Sequence, residues 1–323
     1  MEPFVTLDEI RAARERIKSA ARYTPLIDVP YPPETSSDVR LRLKCENLQP
    51  MGAFKIRGAF NMISQLPKEN LERGVITYSS GNHGQAVAMA AQKLGAPAVI
   101  VMPTTAPQVK IDGCKSYGAE VIMEGTTSLD RQQRAEKEAA ARGLTIVPPF
   151  DHKQIIIGQG TIGLEILEQC PEVGTVFVPV GGGGMASGVA AAIKLSKPSV
   201  RIVAVEPIGA PKMSKSIEAG HPITLPSSKT IADGLMNLRP GDITFAHIRA
   251  FVDEVVTVSE SSIANTVGWL FRNARLVVEP SGAVTTAAVA LGLGNVDIHN
   301  GPVVAVVSGG NVAPEAFAKY VTS

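Results

Sequence analysis

Lys55 sits in Met51-Gly52-Ala53-Phe54-Lys55-Ile56-Arg57-Gly58, hemmed in by small and apolar residues. A buried ammonium is costly, so desolvation pushes such a lysine toward the neutral amine, which attacks an aldehyde to form a Schiff base. The octapeptide alone also suits a surface lysine early in an amphipathic helix, its stem lying over Phe54. A second stretch, Gly181-Gly182-Gly183-Gly184, stands between an apolar run and a helix-like segment, Met185 to Lys194. Its unhindered amides and the helix N-terminus form a phosphate cradle. Read as Gly181-x-Gly183-x-x-Ala186, with Glu206 ending the next apolar run, the same residues satisfy a dinucleotide fingerprint, and a nicotinamide oxidoreductase is the rival reading. Two features disfavour the rival. Four consecutive glycines suit a compact phosphate monoester better than a pyrophosphate, and a dinucleotide site gives Lys55 no role.

Two further motifs complete the chemical inventory. Ser79-Ser80-Gly81-Asn82-His83-Gly84 precedes a helical pattern from Gln85 to Leu94, so Ser or Asn would cap that helix and its leading N–H groups suit a carboxylate. Plain capping, with His83 as a structural imidazole, is the simpler alternative. Ser308, in Ser308-Gly309-Gly310-Asn311, could donate one hydroxyl hydrogen bond to a ring nitrogen.

All of these residues follow or lie close behind apolar runs. The alternating stretch Val39 to Cys45 and the apolar runs Val75 to Tyr78, Ala98 to Val101, Thr175 to Val178, Arg201 to Val205 and Val303 to Val307 are interspersed with helical patterns. That order predicts an α/β fold with open, mostly parallel, twisted sheets and helices on both faces. Ligands in such sheets bind beyond the carboxyl ends of the strands, where the motifs lie. An N-terminal helix capped by Thr6 or Asp8 comes first, then a Pro-rich stretch from Tyr23 to Pro33. Pro67 to Gly74 and Val147-Pro148-Pro149 read as hinges, dividing the chain into a large domain (1–66 and 149–323) and a small mobile domain (67–148).

The chain has 323 residues with 31 Lys and Arg against 30 Asp and Glu, a net charge of +1 without a basic block. That balance suggests neither nucleic acid nor an anionic membrane as partner and suits a small zwitterionic ligand. Cys45, Cys114 and Cys170 are scattered without metal-ligand spacing, as ordinary thiols in a reducing compartment. No segment reaches the roughly 18 apolar residues of a membrane span, and no basic-then-apolar leader opens the chain, so a cytoplasmic setting is expected.

With Lys55, the Asn82 loop, the four glycines and Ser308 in this order, the chain resembles the fold type II pyridoxal-phosphate enzymes, in particular the threonine/serine dehydratase and serine racemase group. Gly158-Gln159-Gly160-Thr161-Ile162-Gly163-Leu164-Glu165, Thr230-Ile231-Ala232-Asp233-Gly234 and Glu279-Pro280-Ser281-Gly282 extend the resemblance over nearly the whole chain. It implies a two-lobed fold like the tryptophan synthase β subunit and a homodimer or homotetramer. Lys55 would hold pyridoxal 5'-phosphate through a Schiff base and act on the substrate Cα proton. Phe54 would lie against the pyridine ring, Asn82 would bond its 3-hydroxyl, and Gly181, Gly182, Gly183 and Gly184 would take the phosphate. Ser308 would meet the ring nitrogen near Glu279 and Gly234, and Ser79, Ser80, Gly81, Asn82 and His83 would receive the substrate carboxylate.

The implied reaction is β-elimination from L-threonine or L-serine to a 2-oxo acid and ammonia. Serine racemisation or dehydration of 3-hydroxyaspartate is the alternative within the family. Ser80 matches the racemase serine that faces the lysine across the substrate. Arg131 falls roughly where racemase relatives place a substrate-facing arginine, although a solvated helix charge is the simpler reading. The family's divalent-cation site would use Glu206, the carbonyl of Ala210 and an acid, but Lys212 replaces the acid, so metal independence is expected. The chain stops soon after Asn311, which is expected to leave no C-terminal regulatory domain.

Overall fold

The computed structural model describes residues 4–30, 40–79, 81–106, 108–297 and 300–322. Four Val-rich stretches, one alternating Leu-Arg-Leu-Lys-Cys stretch and one short antiparallel edge build a six-stranded sheet. Its order is Leu26–Val29 (β1), Leu41–Cys45 (β2), Val303–Val307 (β10), Thr175–Pro179 (β7), Arg201–Pro207 (β8) and Glu254–Val258 (β9). Only β1 runs antiparallel to its neighbour. A second, fully parallel sheet has the order Glu120–Met123 (β5), Ala98–Met102 (β4), Val75–Tyr78 (β3) and Thr145–Ile146 (β6). Strands β4, β7 and β10 are buried along their whole length, which explains their largely apolar sequences.

The register of β10 on β2 aligns Val307 with Cys45. The loops leaving these two strands therefore emerge side by side. They pair directly through an antiparallel bridge between Ala53 and Gly309, with Phe54 N donating to Ser308 O at 3.1 Å and Gly310 N to Gly52 O at 2.9 Å.

Three helices lock this arrangement from one side. Helix α2 (Ile56–Ile63) is buried along its length, and α7 (Lys153–Gln169) and α8 (Gly184–Ser196) are buried over most of theirs. The three approach closely because of glycines: a Cβ on Gly158 would come within 2.7 Å of Gly58 Cα, and one on Gly188 within 2.6 Å of Gly160 N. Close-packed interiors have no room for such additions. Helix α2 also shares an apolar cluster with α4 (Asn82–Leu94), so the chain between the two sheets is packed structure and not a bare linker.

The N-terminal helix α1 (Leu7–Ile17) starts at Thr6 with a full Thr6–Glu9 capping box. Four strands lie outside the expected set: β1, β5, β6 and β9. All lie at a sheet edge and all are short or only partly buried. Among the described residues no helix is long and apolar enough to cross a membrane. Cys45, Cys114 and Cys170 are buried free thiols.

Candidate active site

Lys55 precedes α2 and points at the segment that leads into α7, where its Nζ donates to Pro149 O at 2.7 Å. The surrounding protein desolvates the ammonium and lowers its pKa to about 8. The amine thus lies within reach of its reactive form near neutral pH. Its Nζ stands 5.1 Å from the centroid of the Phe54 ring.

The next residue after Pro149 reaches the glycine run. The Phe150 ring lies against Gly182, and a Cβ on Gly184 would come within 3.1 Å of Phe150 Cα. Gly183 is the N-cap of α8 with φ +106°, a conformation that only glycine adopts freely, and a Cβ there would meet Thr244 at 2.8 Å. The hydroxyl of Thr244 donates to Gly182 O at 2.6 Å and fixes the turn. The leading N–H groups of α8 have no acceptor within the helix, so the glycine turn presents amides at the positive end of a helix dipole.

The Ser79–His83 loop is held from two sides. Asn82 Nδ2 donates to Glu279 Oε1 at 2.7 Å, and Asn311 Nδ2 donates to Asn82 Oδ1 at 2.8 Å and to Met51 O at 2.9 Å. Helix α4 begins at Asn82 with Gly81 as N-cap and no side-chain cap, so the expected Ser or Asn cap does not form. Asn82 spends its side chain on Glu279 and Asn311 instead, and Ser79 Oγ accepts from Gly81 N at 3.2 Å. His83 is buried. Its Nε2–H donates to Val147 O at 3.0 Å, and burial with the nearby Lys55 charge drives its pKa down to about 3. The ring is a neutral structural group, and any carboxylate contact from His83 runs through its main-chain N–H. Ser80 lies outside the described residues.

Ser308 is buried at the end of β10, its hydroxyl donating to Ser281 O at 3.3 Å. Ser281 Oγ accepts from Gly234 N at 2.9 Å, which brings Gly234 to the same place. Glu279 joins them through its main-chain N–H to Gly309 O at 3.1 Å. Burial, with Asp233 nearby, raises the Glu279 carboxyl to about 8, so at neutral pH it is mostly a neutral acid. Three loops from one sheet and one helix start from the other sheet therefore converge on Lys55.

Two residues with assigned roles sit elsewhere. Arg131 is buried in α6 (Ser128–Arg142), with its guanidinium turned back on Ser128 Oγ at 3.0 Å and Thr126 O at 3.4 Å. It is not the solvated helix charge that the sequence also suggested. Glu206 is fully buried and accepts from Met213 N, Ser214 N and Ser214 Oγ at 3.0, 2.8 and 2.7 Å. It is thereby closed to the ribose that the dinucleotide reading requires.

Several contributors were not singled out in the sequence. Pro149 acts through its carbonyl, which carries no residue-type signal. Phe150 and Thr244 act by position against glycines, and Asn311 was visible only as the end of the Ser308 motif. A desolvated amine, a run of glycine amides at a helix start and a buried hydroxyl at a strand end together form a donor set that fits an aldehyde-bearing aromatic phosphate.

The model of the family described as "Pyridoxal-phosphate dependent enzyme" matches residues 17–309. An L-threonine ammonia-lyase of Thermotoga maritima is 42% identical over 95% of this chain and 76% of its own length. A serine racemase of Schizosaccharomyces pombe is 38% identical over 98% of this chain and 97% of its own. The solved structure of maize serine racemase superposes with a TM-score of 0.92 at 39% identity, covering 99% of this chain and 98% of that one. The match across both sheets and all four motif loops is to one family, and the chain belongs to the pyridoxal-phosphate dependent enzymes.

Proposed function

We propose that the protein is an ammonia-lyase that uses pyridoxal phosphate to remove water from L-threonine or L-serine, giving a 2-oxo acid and ammonia. The observation that carries this reading is the desolvated Lys55 amine, with a pKa of about 8, held by Pro149 O beside the glycine turn. Relatives named L-threonine ammonia-lyase over nearly the whole chain support the substrate class.

Bound pyridoxal phosphate supplies an electron sink for the charge left when the substrate loses its Cα proton. Lys55 would hold the cofactor and would be the group that takes the Cα proton; an amine with pKa near neutrality both accepts and returns a proton efficiently. The Gly181–Gly184 amides hold the phosphate, and the Ser79–His83 loop receives the carboxylate at the N-terminal end of α4. Ser308 offers the ring nitrogen a neutral hydroxyl, which does not keep that nitrogen protonated. With that hydroxyl as its partner, the bound cofactor would delocalise charge only weakly, which would favour loss of the β-hydroxyl over transamination. The enamine released tautomerises to an imine, and water hydrolyses it to the 2-oxo acid and ammonia.

A second reading, serine racemisation, is favoured by relatives of that name at 43% identity over 87% of this chain. It requires a second proton carrier on the opposite face of the substrate, the role we assign to Ser80. Residues 67–148 serve in this proposal as a small mobile domain closing on the remainder. Support comes from the second sheet, whose strands lie within 75–146, and from the Lys110–Asp233 ion pair of 2.6 Å, which spans from α5 (Gln108–Lys115) to the turn at Gly234. A homodimer or homotetramer, on the family resemblance, and a cytoplasmic setting, on the scattered free cysteines, complete the proposal; light scattering tests the assembly.

The functional test is a panel of L-threonine, L-serine, D-serine and 3-hydroxyaspartate assayed for 2-oxo acid and ammonia. Equal amounts of both products from L-threonine or L-serine are expected. Absence of product from every member overturns the reading.

A further inference from the structure

Helix α9 (Lys212–Ala219) opens with a lysine whose side chain is wholly buried. Its ammonium donates to Leu235 O at 2.9 Å, Ala210 O at 3.1 Å and Val180 O at 3.3 Å, and lies 3.6 Å from Glu206 Oε2. An ammonium has three donors, and here three carbonyls take them. The carboxylate beside them supplies the opposite charge, itself fixed by the N–H groups of Met213 and Ser214 and the Ser214 hydroxyl.

This cluster does not fit the divalent ion that the family resemblance implies at Glu206 and Ala210. A metal there would compete with the Lys212 ammonium for the same oxygens, and Mg²⁺ demands about six of them at roughly 2.0–2.1 Å. Among the described residues no group of three or more His, Cys, Asp or Glu side chains is placed to hold a metal. The ammonium therefore occupies a cation position, with carbonyls and a carboxylate around it.

The carbonyls it holds are placed to matter for the site. Val180 immediately precedes Gly181, and Leu235 immediately follows Gly234. The two segments touch: a Cβ on Gly181 would come within 3.0 Å of Asn237 Oδ1 and 3.2 Å of Gly234 O. From Gly234 the contact continues through Ser281 to Ser308. One buried charge thus fastens the strand end that launches the glycine cradle to the turn that flanks the Ser308 hydroxyl.

We propose that Lys212 is the built-in cation of this protein, a positioning residue that clamps Val180 to Leu235 and so lets the cofactor site assemble without a divalent metal. The clamp rests on geometry alone, whereas its consequence for cofactor affinity also rests on the proposed roles of Gly181 to Gly184.

The test uses the full-length wild type, Lys212→Met and Lys212→Asp, each measured after EDTA treatment and again with Mg²⁺ or Mn²⁺. Two quantities are read: the thermal unfolding midpoint of the cofactor-free protein, and the dissociation constant for pyridoxal phosphate from fluorescence quenching. In the wild type, neither EDTA nor added cation should change the dissociation constant by more than about twofold. Lys212→Met should lower the unfolding midpoint and weaken cofactor binding by about tenfold or more, with no recovery by either cation. Lys212→Asp should show the same losses and recover both with Mn²⁺, because the new carboxylate, Glu206 and Ala210 O then face an empty cation position. Loss of wild-type affinity on EDTA treatment with recovery by Mg²⁺ overturns the proposal, and this arm decides even where Lys212→Met fails to fold. A Met variant that keeps both wild-type values, or an Asp variant that Mn²⁺ does not recover, overturns it as well. If the wild type binds no pyridoxal phosphate, the functional reading fails, while the unfolding midpoints still report on the clamp.

Discussion

Arg57→Met should destabilise this protein more than any surface substitution, through a charge imbalance that pH reveals. Arg57 lies two residues after Lys55 and is wholly buried. Its guanidinium donates to Glu46 at 2.7 and 2.8 Å, to Glu165 at 2.6 and 2.9 Å, and to Thr161 Oγ1 and Arg22 O at 3.1 Å each. Lys44, also buried, completes the cluster with Nζ donating to Glu165 Oε2 at 2.5 Å. The cluster joins β2, α2 and α7 behind the Lys55 loop.

Methionine fills most of the volume but leaves two buried carboxylates facing one ammonium. Removing one partner of a buried ion pair costs about 3–5 kcal/mol, because the remaining charge goes uncompensated. Among the described residues Glu46 is left with no ion-pair partner and Glu165 keeps only Lys44, so we place the loss near the upper end of that range. With a urea slope of about 1–3 kcal/mol per molar, the unfolding midpoint should fall by roughly 2 M or more. Burial acts most strongly, raising the Glu46 pKa, but Arg57 together with Lys44 and the Thr24 hydroxyl outweighs it and holds that carboxyl below its ordinary value. Such a group contributes stability above its unfolded pKa and loses it as pH falls through the folded value. Without Arg57 the burial effect meets less opposition and protonation relieves the imbalance, so the difference between variant and wild type should narrow toward mildly acidic pH. Adding Glu46→Gln to the variant should recover part of the loss at neutral pH. Urea titrations followed by circular dichroism at neutral and mildly acidic pH provide the check. A loss under about 1 kcal/mol that is the same at both pH values would mean that shape, and not charge, determines the contribution of Arg57.

Gly183→Ala should weaken pyridoxal phosphate binding by about tenfold or more, since its φ of +106° is strained for alanine and the new methyl meets Thr244 at 2.8 Å; Gly95→Ala, at φ +70° with nothing near its Cβ, controls for backbone strain, and equal affinities refute the assigned role. The rate at which cofactor-free protein combines with pyridoxal phosphate should climb about tenfold per pH unit below the Lys55 pKa of about 8 and level off above it; a flat profile contradicts the desolvated-amine argument. Ser80→Ala should remove any serine racemisation while leaving elimination of L-serine largely intact, and equal loss of both activities sinks the idea of a separate second base.

Much of the site could be read from the sequence because its residues lie at the ends of strands that advertise themselves. Val303 to Val307 and Val176 to Val178 are apolar because both faces are covered, and Ser308 and Gly181 follow at or just beyond their carboxyl ends. The edge strands gave no such signal. Thr145–Ile146 has two residues, and Leu26–Val29 carries Asp28 within a Pro-rich stretch. Main-chain partners were hidden for a different reason: the Pro149 carbonyl that meets Lys55 across 94 positions has no identity that a motif can show. The buried ion cluster ran against the ordinary expectation that Lys, Arg and Glu face solvent. Its one trace was the placing of Lys44, Arg57 and Glu165 on segments that are otherwise buried. Lys212 was legible as a departure from the family pattern, but the Val180 and Leu235 carbonyls that give it a role come from distant parts of the chain.

The most direct test of the account is chemical. The purified protein, saturated with pyridoxal phosphate and treated with borohydride, should lose its yellow colour and carry the reduced cofactor on Lys55 when its peptides are mapped by mass spectrometry. Lys55→Ala should carry none and should form no 2-oxo acid from L-threonine or L-serine. Attachment at a different lysine, or turnover that survives in Lys55→Ala, would contradict the central claim that this residue holds the cofactor and moves the proton.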